Sequence, residues 1–259
     1  MEEIKVNRGE HLYKLYMIRS WGDCCSDDPR PVPSALTHPL AGGGMSSPQS
    51  ITPTQMQYED LNSPQHVVVE RDACVDMVLL VMPGVSCDVK LDVRLAGEGA
   101  QANIYGAYVC GGEEKVKISV DMHHDLPHCN SRQLFKGIAG GTSRVDFYGK
   151  IIVAQDAQRT EAFQENHNIL LSDGAKVDTK PQLEIYADDV KCSHGATIGR
   201  LNEEEQFYMR SRGISLEDAK VLQMISFIAP VLENVKDEAQ REALSSEYES
   251  NIRTIIRNM

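Results

Sequence analysis

The sequence predicts a mainly β protein, a parallel β-helix followed by a small α-helical region. Eight strand-like runs follow one another between residues 65 and 200, and no helical pattern separates them. This excludes a sheet built from β-α-β units. Small residues recur between the runs, which fits either a β-sandwich or a β-solenoid. Because Asn-Gly hairpin turns are absent, the solenoid is favoured.

The strand assignment depends on a period of two in the apolar residues. Val116, Ile118 and Val120 alternate with polar residues, as expected for a strand that buries one face. Short segments rich in Gly and Ala, such as residues 97–100 and 140–141, follow the runs at similar intervals. We interpret these segments as the corners at which the chain turns from one strand to the next.

Composition divides the chain into three zones. Residues 1–64 combine a short β-type segment before residue 19 with a stretch rich in Pro, Gly and Ser, which we expect to be a long loop or a partly disordered insertion. Residues 65–200 form the predicted β-helix core. Residues 201–259 form the predicted helical region, either a cap over the open end of the β-stack or a docking surface for a partner.

Three helices are predicted in the last zone. Asn202, which precedes three glutamates, is an N-cap, and Gly213 ends that short helix. Ser215 begins a second helix, which Pro230 is expected to kink or end. A third helix is expected over about residues 237–257.

Composition also excludes several classes of function. Thirty-eight acidic against 26 basic residues give a net charge of −12, which argues against binding nucleic acid or an anionic membrane surface. No apolar run reaches the length of a membrane helix. The first residues lack the apolar core of a signal peptide, so we expect a cytoplasmic protein whose seven cysteines are reduced thiols.

Motifs of nucleotide binding and of covalent catalysis are missing. The sequence has no phosphate-binding loop, no G-x-S-x-G elbow and no H-E-x-x-H motif. Residues 97–102 imitate a dinucleotide-binding fingerprint, but they lead into a strand instead of a helix.

Two polar clusters are candidates for metal or sulfur chemistry. In the first, His124 and His128 can both reach a metal with Cys129 nearby, although the pattern favours a polar loop of hydrogen-bonded imidazoles. In the second, Cys192 and His194 alternate along a strand and therefore share one face. A thiol beside an imidazole is a soft site with only two ligands; the alternative is a small buried thiol and a hydrogen-bonded histidine.

Three long tracts make the second cluster recognisable. The tracts are HHDLPHCNSRQLFKG (123–137), YGKIIVAQDAQRTEAFQENHNILLSDGAKVDTKPQLEIYADDVKCSHGATIG (148–199) and FYMRSRGIS (207–215). On these tracts the chain resembles the SufB/SufD family of iron–sulfur cluster assembly proteins, and within it the SufD branch. Typical members also carry an N-terminal helical region and further coils, and residues 19–64 match no part of that pattern.

The resemblance implies a right-handed parallel β-helix, C-terminal helices and a non-catalytic scaffold. The scaffold pairs with SufB, and its partner SufC hydrolyses ATP. The resemblance also implies a transient iron–sulfur cluster at the interface with SufB, where His194 is a ligand and Cys192 supports the site, with no tightly bound cofactor. The implied SufC contact comprises Phe207, Tyr208, Arg210, Arg212, Gly213 and Phe227.

Two other functions stay open at this point. One is a polysaccharide lyase or hydrolase, a common activity of β-helices, with Asp156, Asp188 and Asp189 as candidate carboxylates. The other is an independent metal-binding protein that uses His124, His128 and Cys129. In isolation, exposed strand edges at a solenoid end can also pair with a second copy of the chain.

Overall fold

The computed structural model describes residues 2–18 and 65–258. Within these residues the chain forms twelve strands followed by three helices. The strands are β1 (Glu2–Val6), β2 (His11–Ile18), β3 (Gln65–Val69), β4 (Cys74–Val81), β5 (Cys87–Leu95), β6 (Gln101–Cys110), β7 (Lys115–His124), β8 (Asn130–Ala139), β9 (Arg144–Val153), β10 (Glu161–Leu170), β11 (Lys176–Ile185) and β12 (Lys191–Gly199). The helices are α1 (Glu203–Ser211), α2 (Leu216–Leu232) and α3 (Glu238–Asn258).

The strands form two parallel sheets that make a β-solenoid of about five turns. Sheet A has the order β1-β3-β5-β7-β9-β11, and sheet B has the order β12-β10-β8-β6-β4-β2. Each strand pairs with the strand one coil further along, as Gln101 pairs with Asn130 and Glu161 with Lys191. The predicted parallel solenoid with C-terminal helices is therefore confirmed.

The first coil differs from the prediction of one short β-type segment. Two strands form there, β1 in sheet A and β2 in sheet B, and a turn with Gly9 at φ 71° separates them. Both strands continue the sheets of the core. The irregular segment predicted for residues 19–64 lies outside the described residues.

The space between the sheets is filled by inward side chains that stack from coil to coil. In sheet A, Val93, Met122 and Ile151 occupy one register position in three successive strands, and all three are buried. Phe135 of sheet B meets Phe147 of sheet A with ring centroids 4.8 Å apart. Burial of this apolar surface is the main driving force for stacking the coils.

From β4 onward, one inward register position of sheet B changes from apolar to polar residues. One register position holds Met77, Ile104, Gln133, Gln164 and His194 in five successive strands. Polar inward residues break the apolar alternation that identifies a strand in a sequence. For this reason the apolar pattern of the sequence did not predict β8, and it predicted only the second half of β10.

Residues with left-handed backbone are stacked at one corner of the solenoid. Gly9, Asp72, Gly99, His128 and Arg159 have φ between 56° and 74°. Each of their N–H groups donates a hydrogen bond of 2.6 to 3.3 Å to a carbonyl of the following coil. Left-handed geometry is uncommon for residues other than glycine, so these bonds hold a conformation that the isolated chain disfavours.

The helices lie along the flank of the solenoid. Helices α2 and α3 pack on the outer face of sheet B, where Ile228 and Ile252 join a cluster with outward residues such as Leu80, Val109 and Ile138. Asn202 and Ser215 are the N-caps of α1 and α2, as predicted, and α2 ends two residues after Pro230. Of the two roles considered for this region, capping the solenoid end does not fit this position.

The close stacking of coils predicts a low tolerance for side chains at inner glycines. A Cβ added to Gly137 in β8 would overlap the ring of Tyr108 and the amide of Asn168. We expect Gly137→Ala to lower the free energy of unfolding by about 1 to 3 kcal/mol, measured by urea titration followed by circular dichroism. Gly199→Ala in β12 is the matched control, because its added Cβ has no neighbour within 4 Å. Equal stability of the two variants would contradict this account of the core.

Candidate functional site

The C-terminal end of the solenoid is formed by β11 and β12. In the described part of the chain, β11 pairs only with β9 and β12 only with β10, so each is the edge of its sheet. An edge strand presents a row of N–H and C=O groups that no neighbouring strand satisfies. This end therefore offers a template for pairing with another β-structure.

Cys192 and His194 lie on the inward face of β12, at the open end. Cys192 pairs in register with Ala162, and His194 with Gln164, both of which are buried. With no coil above them, Cys192 is half-buried and His194 is exposed. Burial raises the pKa of the Cys192 thiol, which is therefore protonated at neutral pH and must lose its proton to bind a metal as thiolate.

Apolar side chains are exposed at the same end of the solenoid. Ile185, the last residue of β11, and Tyr186, which follows it, are 39% and 62% exposed, and Ile198 of β12 is 46% exposed. Ile185 and Ile198 hold inward register positions whose equivalents in the preceding coil are buried. The end of the core is thus an exposed apolar surface that also carries one thiol and one imidazole.

A second surface surrounds α1. Phe207 and Tyr208 are 73% and 56% exposed, and Arg210, Arg212 and Gly213 are exposed as well. The Arg212 guanidinium lies 4.3 Å from the centroid of the Tyr208 ring. Five of the six residues predicted for a partner contact therefore share this exposed surface.

The sixth residue, Phe227, is half-buried on α2, with the Lys136 ammonium 4.7 Å from its ring centroid. It lines a groove of about 790 Å³ between α1, α2 and sheet B. A second groove, of about 440 Å³, lies beside Phe207 and Arg210. Gln206 donates a 2.9 Å hydrogen bond to Gln223, which ties α1 to α2 between the grooves.

His124, His128 and Cys129, the first predicted cluster, lie in three different environments. His124 is buried, with Nε2 2.9 Å from Ser131 Oγ, and burial lowers its pKa to about 4. His128 is an exposed corner residue at φ 61°. Cys129 is buried, its thiol donates to the Gly97 carbonyl at 3.2 Å, and burial raises its pKa to about 11. Their ligand atoms do not form a mutually close group.

The group whose ligand atoms do lie close together was missed in the sequence. His11, Cys74 and Asp76 place a nitrogen, a sulfur and an oxygen within 4.8 Å of one another. The signal is tertiary, because the parallel register of β2 with β4 brings His11 next to Cys74. Lys236, between α2 and α3, already places its ammonium 3.2 Å from Asp76 and 3.3 Å from His11. The cluster therefore acts here as a polar clamp between sheet B and the helices.

The charge of Asp76 stabilises this clamp. Burial by itself raises the pKa of Asp76, but hydrogen bonds from Asn103, His11 and Lys236 outweigh burial and lower the pKa overall. The Lys236 ammonium also lies 4.8 Å from the centroid of the Tyr13 ring. A cation bound to His11, Cys74 and Asp76 would have to displace Lys236 first.

Comparison with known proteins decides the family. The core-domain model of SufBD proteins, described as SUF-system iron–sulfur cluster assembly, matches residues 57–227, which is more than half of the chain. The chain belongs to the SufB/SufD family. The match includes most of the solenoid, the whole of α1 and most of α2.

Relatives in this family identify the SufD type. The iron–sulfur cluster assembly protein SufD of Escherichia coli K12 is 50% identical over 149 residues, 58% of this chain and 35% of that protein. Protein ABCI7, chloroplastic, of Arabidopsis thaliana is 39% identical over 151 residues, 58% of this chain and 32% of that protein. A SufBD family protein of Mycobacterium leprae is 29% identical over 198 residues, 73% of this chain and 50% of that protein. The chain thus spans a third to a half of these relatives.

The carboxylates considered for polysaccharide cleavage lie at solenoid corners of this SufB/SufD protein. Asp156, Asp188 and Asp189 are all exposed, and Asp189 forms an ion pair with Arg159 at 3.8 Å. Of the three, only Asp189 lines a polar depression of about 560 Å³, together with His128, Arg159 and Lys191 among others.

Within residues 2–18 and 65–258, no helix has the length and apolar character of a membrane-spanning segment.

The buried His124 predicts a specific pH dependence of stability. Its pKa is about 4 in the folded chain and ordinarily 6.5, so the unfolded chain binds the proton more tightly. Stability contributed by the neutral imidazole is complete above pH 6.5 and is lost as the pH falls toward 4. We expect His124→Gln to remove about 3 kcal/mol of this dependence between pH 7 and 4, measured by urea unfolding.

The matched control is His128→Asn, because His128 is exposed and Asn tolerates left-handed backbone. This variant is expected to keep the wild-type pH dependence. A wild-type dependence in His124→Gln would show that another group is responsible for it.

Proposed function

We propose that this chain is a scaffold subunit of Suf iron–sulfur cluster assembly, which pairs with SufB through β11 and β12 and binds the ATPase SufC through α1 and α2. The nascent cluster is its cargo, held between SufB and this chain in the cytoplasm. The observation that carries the proposal is the exposure of His194. Its register equivalents Gln133 and Gln164 are buried in the two preceding coils.

Two independent features of the solenoid end support pairing there: unpaired backbone groups and exposed apolar side chains. The edges of β11 and β12 have backbone groups that a further strand can satisfy. The apolar side chains of Ile185 and Ile198 are exposed beside these edges and lose water when a partner covers them. A second β-solenoid with an open end of its own can supply both the backbone hydrogen bonds and the apolar surface.

The chemistry of His194 and Cys192 suits a cluster that is bound and then released. Imidazole nitrogen and thiolate sulfur are both ligands of iron. Two ligands from one chain cannot enclose a cluster, so the remaining ligands must come from the partner. Because the Cys192 thiol is protonated at neutral pH, its participation costs a proton release, which favours His194 as the primary ligand of this chain.

Docking of SufC is supported by the surface around α1. Phe207 and Tyr208 are large exposed aromatic side chains beside Arg210 and Arg212, a composition that is enriched in the central part of protein interfaces. The grooves on both sides of α1 can receive side chains of a partner. In this proposal SufC hydrolyses ATP, and the chain transmits the resulting movement without catalysing a reaction itself.

The role of His194 is tested by co-expression with SufB and SufC from the same source. We expect a three-component complex that accumulates iron and sulfide anaerobically. His194→Ala is expected to keep the complex and to lose most of the cluster, measured as iron and sulfide per complex. The matched control is His167→Ala, because His167 lies on the outward face of the neighbouring strand β10. Full cluster content in His194→Ala would remove this residue from the site.

The two docking surfaces are tested by a pair of charge substitutions. Ile198→Asp is expected to abolish co-purification with SufB and to leave SufC binding intact, because a carboxylate at the solenoid end opposes burial. Phe207→Asp is expected to have the reverse effect. Each variant is the control for the other. Loss of both partners in either variant, or of neither in both, would contradict the assignment of two separate surfaces.

A further inference from the structure

Gln164 is the buried residue that pairs with His194 in the next coil toward the N-terminal end of the solenoid. The two residues are register partners on β10 and β12, and both side chains start from the inward face. Strands in a sheet lie about 4.8 Å apart, so inward side chains at one register position stack against each other. Gln164 is 1% exposed.

The amide nitrogen of Gln164 has a hydrogen-bond partner, and its oxygen has none in the described part of the chain. Gln164 Nε2 donates a 2.9 Å hydrogen bond to Oε1 of Gln133, one coil below. Gln164 Oε1 is buried and has no hydrogen-bond partner in the described part of the chain. A buried carbonyl without a donor is costly, so this oxygen calls for a donor that satisfies it.

The opposite sheet leaves room for this arrangement. Gly149 of β9 lies so close to the Gln164 amide that a Cβ there would overlap it. A glycine at this inward position therefore lets the glutamine side chain extend across the interior. The contact holds the amide in place, since its neighbour on this side is backbone.

We propose that Gln164 is a positioning residue for His194, whose ring N–H donates a hydrogen bond to Gln164 Oε1. This bond fixes one neutral tautomer and leaves the other ring nitrogen with its lone pair directed toward the open end. Histidines that bind metals in proteins generally donate their second ring N–H to a carbonyl or carboxylate in this way. The role in cluster binding rests on the proposed function, whereas the hydrogen bond itself does not.

The test uses the full chain with ¹⁵N-labelled histidine, and long-range ¹H–¹⁵N spectra that report the tautomer of each ring. His194→Ala identifies the signals of His194. In wild type we expect one His194 tautomer to dominate. Gln164→Met, which keeps the length of the side chain and lacks the acceptor, is expected to change the tautomer ratio about fivefold, as loss of one hydrogen bond of ordinary strength implies.

Two further variants separate positioning from folding. Gln164→Glu retains an acceptor oxygen and is expected to keep the ring N–H hydrogen-bonded. Asn166→Met removes a buried amide from the same strand but faces Ala196 instead of His194, so its His194 signals are expected to match those of wild type. Far-ultraviolet circular dichroism checks that each variant is folded.

An unchanged His194 tautomer ratio in folded Gln164→Met would overturn the proposal, as would an equal change in Asn166→Met. These results do not depend on cluster assembly. If the tautomer responds to Gln164 as expected but His194→Ala assembles a full cluster with SufB and SufC, the positioning stands and the proposed function fails.

Discussion

The stacking of coils through parallel backbone hydrogen bonds is the constraint on which the other features of this protein depend. Because each inward side chain lies directly against its equivalent one coil away, neighbouring coils must complement each other in size. Gly106 and Gly137 lie against the rings of Phe135 and Tyr108. The same rule lets Gln164 extend over Gly149 of the opposite sheet. Small and large side chains thereby alternate between neighbouring coils along the axis of the solenoid, which allows close packing.

A stack of coils has no natural end, and this protein leaves its C-terminal end open. Residues that would be core in any earlier coil, such as Ile198, become surface in β12. The residue type also changes along the stack, because the inward register position that holds Met77 in β4 holds His194 in β12. The open end therefore exposes an imidazole together with apolar side chains that an additional coil would bury.

The helices add a second surface to that of the open solenoid end. Helices α2 and α3 bury the apolar part of the outer face of sheet B, and the contact between Tyr248 and the carbonyl of Val81 is part of this packing. The clamp of Asp76 with Lys236 fixes the loop between the two helices. Because α2 and α3 pack on the flank, they leave the edges of β11 and β12 uncovered.

The sequence by itself determined the fold class, the three helices with the N-caps of the first two, and the family. Apolar alternation, corner residues and long family-specific tracts are local signals, which can be identified in a sequence without a structure. Strands with polar inward residues cannot be identified in this way. Strand β8 has Ser131 and Gln133 at buried positions, so it lacks the apolar alternation of a strand. Only the stacked register reveals that these positions are interior.

The candidate site divides in the same way. Alternation along one strand was enough to put Cys192 and His194 on one face. The side chains of His124, His128 and Cys129 lie in three different environments, because proximity in sequence does not bring side chains together at a corner. The tertiary structure alone joined His11 with Cys74 and placed Gln164 below His194. The physical reason is that parallel coils bring together residues about 30 or more positions apart, and no local pattern encodes which of them will meet.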